Sequence, residues 1–453
     1  MGSVTSIASI VGDLANDVGT GINVQSVVAE ILAAQSGPLQ DLQSQQTQFS
    51  SQTSALNNIS SLIATLQTSV QALGDVTGAL NAQAATSSNT DVLTATGSSS
   101  ATPGTHTIAV SNLATTSSYY SALQPSSSST LSDGSFQIQV GSGSPVSIDV
   151  SAANGNNTLD SLAQYINNLG VGVSANVITD AGGARLAIVS GTSGQPGDLT
   201  ISNDSVGLGF TKAVAGTNAN FTVDGVPVSS TTNSISSAVQ GVTINLLSAP
   251  AGNNVTLTVS PDTTQATAAV NTFVSAYNAV VQAVNAQYAT DPTSGQTGVL
   301  ASDSTLAAIQ SSLANDVNYA ISGNNGFVNL SSLGITTNDD GTLSVDSSAF
   351  GSALTGNYQS VLNFFQNVSN TGFAQSFNSD LSNNLANPTT GFIALDLNGI
   401  SQSQQALTDQ ISDFQANATL QQQQLTAEFS TIDTTLRELP LLENQLQAST
   451  AGI

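Results

Sequence analysis

The chain of 453 residues has no cysteine, no tryptophan, one histidine and three basic side chains, Arg185, Lys212 and Arg437. Each scarcity closes off a class of function. Without cysteine there is no disulfide framework and no thiolate metal site. With His106 as the single histidine, neither a zinc centre nor a Ser-His-Asp triad can be built from its usual parts. Three Lys+Arg against 28 Asp+Glu give a formal net charge of -25. A nucleic-acid binder needs a basic patch to displace counterions, and an anionic membrane attracts the same kind of patch, so both partners are excluded. No window reaches the ~18 to 20 uninterrupted apolar residues of a membrane span, which argues against membrane insertion. The opening MGSVTSIASIVGDLAND has no basic n-region and no long apolar h-region, so it does not read as a secretory signal.

Charged residues make up 7% of the chain and hydrophobic residues 39%. Solubility must therefore come from Ser, Thr, Asn and Gln, while the apolar residues are arranged with a period and point to a folded protein. Near the N-terminal end they run Leu39, Leu42, Phe49, Leu56, Ile59, Ile63, Leu66, Val70, Leu73, Val76 and Leu80. Near the C-terminal end they run Ile400, Leu407, Ile411, Phe414, Leu425, Phe429, Ile432, Leu436, Leu439, Leu442 and Leu446. Most steps are three, four or seven residues, which draws one stripe along each helix. A narrow stripe needs a partner helix, and the simplest partner is the other end of the chain. The expected coiled-coil seam is Leu39, Leu42, Phe49, Leu56, Ile63, Leu66, Val70 and Leu73 against Leu407, Ile411, Phe414, Leu425, Phe429, Ile432 and Leu436.

The fold class is then α+β and multidomain, with terminal helices forming a coiled-coil or helical-bundle stalk and β-rich head domains inserted between them. Residues 1–38 form a disordered terminal segment with one short helix, capped by Asn23 and ended at Gly37-Pro38. Residues 39–88 plus 263–436 make a helical leg, and 89–117 plus 216–262 a β-rich head domain. Residues 118–215 make an outer β-rich head domain, whose one helix is capped by Thr158 and stopped by Gly170; 437–453 is a tail. DVLTATGS and THTIAVSNLA alternate as strands with Pro103-Gly104 as the turn between them, and Asp224-Gly225 marks a hairpin. Pro440 should kink or end the last helix.

No chemical motif survives inspection. His106 sits in an alternating strand and reads as a surface residue. Asn338-Asp339-Asp340-Gly341 resembles the middle of a calcium loop, but Thr336 and Ser347 stand where the first and last acidic ligands belong, so a hairpin turn is the better account. The single Gly-x-Gly before Lys212 lacks the rest of a phosphate-cradling pattern.

Several stretches carry a family resemblance. GTGINVQSVVAEILAAQSGPLQDL resembles the opening of the flagellar filament cap family, hook-associated protein 2, with its Gly-rich turn, short helix and Pro-Leu entry into a long helix. FVSAYNAVVQAVN is similar to that family's helix after the head, GVLASDSTLAAIQSSL to its Asp-Ser helix start, and LSSLGITTNDDGTLSVDSSAF to its hairpin. TLDSLAQYINNLGVGVSANVITDAGGARLAIVS resembles a module shared with flagellins. The order is that of the family and covers nearly the whole chain. The sparse Lys and Glu, the run Gln421 to Gln424 and Pro440 depart from it.

The resemblance implies a structural assembly factor, not an enzyme, with no cofactor and no metal. It would cap the distal end of the bacterial flagellar filament, prevent loss of exported flagellin and promote its folding and insertion. The implied partners are flagellin, further copies in a homo-oligomeric ring, pentamer or hexamer, and a flagellar export chaperone. The implied location is the extracellular filament tip, reached unfolded through the flagellar type III apparatus. The alternatives are flagellin or the hook-filament junction protein, from which the helices of 263–386 would separate it, and an extracellular adhesin.

Overall fold

The computed structural model describes residues 23–250, 252–367 and 371–450. The expected disorder of residues 1–22 lies outside them. The described chain divides into a helical unit (residues up to 74, 270–353 and from 359 onward) and a β-rich unit (75–269 with 354–358).

Eight α-helices are described: α1 (Val24–Ala34), α2 (Gly37–Gly74), α3 (Leu159–Leu169), α4 (Thr263–Tyr288), α5 (Ser304–Val317), α6 (Ser347–Phe365), α7 (Phe373–Asp380) and α8 (Phe392–Thr450). All but α3 lie wholly or mainly in the helical unit. Their starts follow capping chemistry. The Asn23 side chain accepts from Ser26 N at 3.2 Å before α1, and Asp303 accepts from Thr305 N at 2.9 Å before α5. Pro38 falls in the first turn of α2, where its missing N–H would have no intrahelical partner. A π-helical turn, Leu381–Leu385, follows α7 directly, and a short hairpin of β16 (Ile335–Thr337) and β17 (Leu343–Val345) precedes α6.

The core of this unit is aromatic. Phe373 touches Phe273, Phe364 and Phe377, each with ring centroids 5.5 Å apart, and Phe365 at 5.8 Å. All five rings are fully buried. Helices α4, α6 and α7 are thereby tied to one another through edge-on and stacked contacts that add to plain burial. Helix α2 lies against α7, the π turn and α8, and α1 also lies against α8. Glutamines hold α2 in place: Gln67 Nε2 donates to Ser382 Oγ at 2.8 Å, and Gln366 Nε2 donates to the Leu73 carbonyl at 2.6 Å, an acceptor at the end of α2. On the exposed faces of α2 and α8 many hydroxyls bond back to the carbonyl four residues earlier, among them Ser44, Thr47, Ser50 and Ser54 on α2 and Thr419, Thr426, Thr431 and Thr434 on α8.

Two boundaries differ from the sequence expectation. Helix α2 ends at Gly74, not near Leu80; Val76 is 72% exposed, and Leu80 is buried in a separate 3-10 turn, Ala79–Asn81. Residues 75–88 thus fall with the β-rich unit rather than the leg. Helix α8 neither stops nor changes at residue 437 and runs through Pro440 to Thr450. The proline leaves the Leu436 carbonyl without its intrahelical donor, but residues 437–448 are all exposed, so water can take its place.

The β-rich unit holds two cores. In the first, a five-stranded sheet of order β1-β15-β3-β11-β12 faces a three-stranded sheet of order β13-β14-β2. Its strands are β1 (Gln83–Ser87), β2 (Leu93–Gly97), β3 (Gly104–Asn112), β11 (Ala219–Val223), β12 (Val226–Ser230), β13 (Ser234–Val239), β14 (Val242–Leu246) and β15 (Asn254–Pro261). Leu93, Ile244 and Leu246 from one sheet share the core with Ile108, Phe221 and Leu257 from the other. Strands β2 and β3 do not form a hairpin around Pro103-Gly104: β2 pairs with β14 and β3 with β15 and β11. Alternation gives each strand a buried face, and the two faces meet across the core instead of side by side. The Asp224-Gly225 hairpin forms between β11 and β12, with both residues at positive φ (53° and 82°), as the tightest right-twisted turn requires.

The second core joins a sheet of order β10-β4-β8-β7 to one of order β6-β5-β9. Its strands are β4 (Thr116–Tyr120), β5 (Gly134–Val140), β6 (Val146–Val150), β7 (Val173–Asp180), β8 (Gly183–Ser193), β9 (Leu199–Ser202) and β10 (Thr211–Val214). Helix α3 places Leu159, Leu162 and Ile166 against Phe136, Ile148, Leu186 and Ile188. It starts on a capping box, with Thr158 Oγ1 accepting from Ser161 N and Thr158 N donating to Ser161 Oγ, and ends on Gly170 at φ 63°.

Candidate assembly surface on the terminal helices

The expected seam divides into a buried part and a half-buried part. Leu56, Ile63, Leu66, Val70 and Leu73 of α2 and Leu407 of α8 are buried, as are Ile59 and Ile400 beside them. Leu39, Leu42 and Phe49 of α2 and Ile411, Phe414, Leu425, Phe429 and Leu436 of α8 are half-buried. Ile432 is the exception: it is 43% exposed and lies off the stripe, and Asp433 occupies the inward position. The carboxylate there receives Arg437 Nε at 2.9 Å on the same helix.

Following the least exposed residues completes the pattern. On α8 the stripe reads Leu407, Ile411, Phe414, Ala418, Gln421, Leu425, Phe429, Asp433 and Leu436; on α2 it reads Leu39, Leu42, Gln46, Phe49, Thr53 and Leu56. Steps of three and four alternate almost without break, the spacing of a heptad seam. Reading only large apolar residues missed Gln46, Thr53, Ala418, Gln421 and Asp433. Stepping four and then three residues on from Phe414 would have found Ala418 and Gln421. Polar residues at such positions weaken a coil while fixing its register. Burial along the stripe is thus complete beside the aromatic core and partial along its outer half.

Beyond Leu436 the helix presents Leu439, Leu441, Leu442 and Leu446 to solvent, each at least half exposed. They form an exposed apolar row on an otherwise polar helix.

The residues weighed for chemistry do not converge. His106 Nδ1 lies 2.7 Å from Asp224 Oδ2, and Asp224 Oδ1 accepts from Thr107 N at 2.7 Å. The His106 hydrogen bond, with the Thr107 amide, holds the Asp224 carboxyl below its usual value. The pair fastens the β11-β12 turn to β3. Asp340 of the calcium-like stretch accepts from Thr342 N and Oγ1 within the β16-β17 turn. Among the described residues no three His, Cys, Asp or Glu side chains gather in a metal-binding group, and no helix is long and apolar enough to cross a membrane.

Comparison with known proteins follows the same plan. The model of the flagellar hook-associated protein 2 N-terminus matches residues 20–117, and that of its C-terminus matches 216–440. The B-type flagellar hook-associated protein 2 of Pseudomonas aeruginosa is 31% identical over 353 residues, 71% of this chain and 73% of that protein. The flagellar hook-associated protein 2 of Escherichia coli K12 is 29% identical over 419 residues, 86% of this chain and 88% of that protein. Among solved structures, the D1-D2-D3 domains of the flagellar cap protein FliD from Escherichia coli superpose with a TM-score of 0.58 at 30% identity, covering 77% of this chain and 99% of that one. The outer head, between the two matched segments, belongs to neither family model, whereas the terminal helices and the helices after the head fall within them. The chain belongs to the flagellar hook-associated protein 2 family, the filament caps.

Proposed function

We propose that the chain caps the distal end of the flagellar filament, holds exported flagellin at the tip and promotes its folding and insertion there. The observation that carries this reading is the match over 216–440, which takes in the helices that separate a cap from flagellin or a junction protein. The leg supports it physically. A seam firm at one end and interrupted by Gln46, Thr53, Gln421 and Asp433 toward the other can let go and re-form as subunits add beneath it. The exposed Leu439, Leu442 and Leu446 give the ends something to bury against flagellin or a second copy. Function here is mechanical and calls for no catalytic group.

The finer reading has three parts. Copies assemble as a ring, a pentamer or hexamer; the chain is delivered unfolded by the flagellar type III apparatus with a dedicated chaperone; and residues 1–38 carry the export signal. Deleting the gene tests the capping role, with flagellin in the culture medium as the measured quantity. Excess soluble flagellin with short or absent filaments is expected. Filaments of normal length with no excess in the medium would overturn the assignment and favour the adhesin reading. Electron microscopy of the purified chain for rings or stacked plates tests assembly.

A further inference from the structure

The sheet β10-β4-β8-β7 has two unlike faces. Along β8, Ala184, Leu186 and Ile188 point into the core, so Arg185, Ala187 and Val189 point away from it. Register carries that outward face across the sheet. Val189 lies opposite Ser118 of β4, which in turn lies opposite Val214 of β10. Ala187 lies between Tyr120 of β4 and Asn176 of β7, and Arg185 lies opposite Ile178 of β7. Ile178 is 61% exposed, Val214 42% and Tyr120 36%. Leu123, also exposed, reaches the turn between β7 and β8 at Gly183. A contiguous apolar face of this kind, open to solvent, marks a contact surface on a soluble protein.

The face also carries a charge that nothing balances. Lys212 is bound to Asp198 at 2.9 Å and Arg437 to Asp433 at 2.9 Å, whereas Arg185 has no carboxylate partner among the described residues. Its Nη1 donates to the Ser121 carbonyl at 2.9 Å, and its guanidinium carbon lies 5.5 Å from the centre of the Tyr120 ring. These two contacts orient the guanidinium and leave its other N–H groups free for a planar acceptor such as a carboxylate. Asp180, the acid that ends the outward row on β7, is engaged by the hairpin and accepts from Gly182 N at 2.7 Å.

We propose that this face receives a second copy of the chain, with Arg185 taking a carboxylate of the neighbour while Tyr120 and Ile178 bury apolar surface around it. Charge decides the occupant. With 28 Asp+Glu against 3 Lys+Arg, copies of this chain repel one another over most of their surface. The outward face of this sheet is the exception, and a second copy supplies the carboxylates it lacks. Tyr and Arg are also the side chains that most often anchor protein contacts. The face is not self-complementary, since meeting its own image across a two-fold axis would set guanidinium against guanidinium. The contact is therefore head to tail, and such contacts close into a ring when the rotation between copies allows it. This rests on the reading that copies assemble as a ring, and it names the surface. These residues lie between the two segments that the family models match.

The test is sedimentation velocity of the full chain over a concentration series, which gives the concentration at half-assembly. Arg185→Ala and, separately, Ile178→Ser should each raise that concentration by about tenfold or more. Ile178 is mostly exposed, so Ile178→Ser leaves the core intact and keeps the test valid if Arg185→Ala disturbs folding; an unchanged melting temperature checks this. Thr94→Glu on the exposed side of β2 makes the chain more negative by the same one unit as Arg185→Ala, and should assemble as the natural chain does. Unaltered assembly in both Arg185→Ala and Ile178→Ser would overturn the proposal alone and leave the ring reading standing, with this face turned to flagellin or to solvent. Equal weakening by Thr94→Glu would overturn it as well, because general repulsion would then account for the loss. A natural chain that stays monomeric at every concentration would remove the proposal and the ring reading together.

Discussion

Leu66→Ala and Leu425→Ala together measure how the seam is graded. Leu66 is 0% exposed, at the level where α2 meets the aromatic core. The change removes three carbons, about 2.4 kcal/mol of transfer energy at ~0.8 kcal/mol per buried methylene. The neighbours Ile63, Val70 and Leu73 are themselves fully enclosed and cannot collapse far. A cavity contribution then brings the expected loss to about 3 to 4 kcal/mol, within the ~2 to 5 kcal/mol typical of such changes. Leu425 is half-buried, so the same truncation loses about half the transfer energy, roughly 1 kcal/mol, and solvent fills the gap. Urea unfolding followed by far-ultraviolet circular dichroism is the assay, because nearly all helices belong to the leg and carry the signal. Midpoints should shift with unchanged slope. Equal losses at the two sites would refute the graded seam and mean that the outer half is packed as tightly as the core.

Three further outcomes test the rest of the fold. Thr158→Ala removes the α3 capping box and should cost about 1 kcal/mol, read as earlier loss of amide protection in 159–169, with Thr158→Ser near neutral. Gly183 has φ 140°, and a β-carbon there would collide with the Gln124 carbonyl, so Gly183→Ala should break the Gln124–Ala184 bridge and lower the melting temperature of the β-rich unit in calorimetry. Pro440→Ala restores a backbone donor inside α8 and should raise helix stability locally by up to about 3 kcal/mol, seen as slower exchange around Leu436 to Leu446.

Much of this architecture is written in local signals. Asn23, Thr158 and Gly170 announce their helix ends because capping is a contact between near neighbours. The heptad of Leu39 to Leu73 is likewise a matter of spacing. What the residues alone do not specify is which strand meets which. Leu93 and Ile108 each mark a buried face, but alternation is silent on whether two faces lie in one sheet or oppose one another. Strands β1 (QAATS) and β13 (SISSAV) are small and polar enough to pass for loop, and only their ladders to β15 and β14 define them. Val76 and Leu80 keep the helical phase after α2 has ended, so period overruns the boundary that Gly74 and Asp75 impose. On α8 the search for large apolar residues took Ile432 and passed over Asp433, whose carboxylate lies inward and is held by Arg437.

The hydroxyls that bond back along α2 and α8 have a consequence for the environments this leg tolerates. Each donates its one proton within its own helix and keeps its oxygen lone pairs for water, so the surface stays wettable without paired charges. Ion pairs at a surface are weakened by dissolved salt, and a leg relying on them would loosen on passing from dilute water to brine. Here Arg437 with Asp433 is the one such pair a Lys or Arg can make. The remaining charges are almost all of one sign, and added salt only softens their mutual repulsion. The helices should therefore hold at least as well in concentrated electrolyte as in dilute buffer, a tolerance that comes from serine and threonine where other proteins depend on lysine and glutamate.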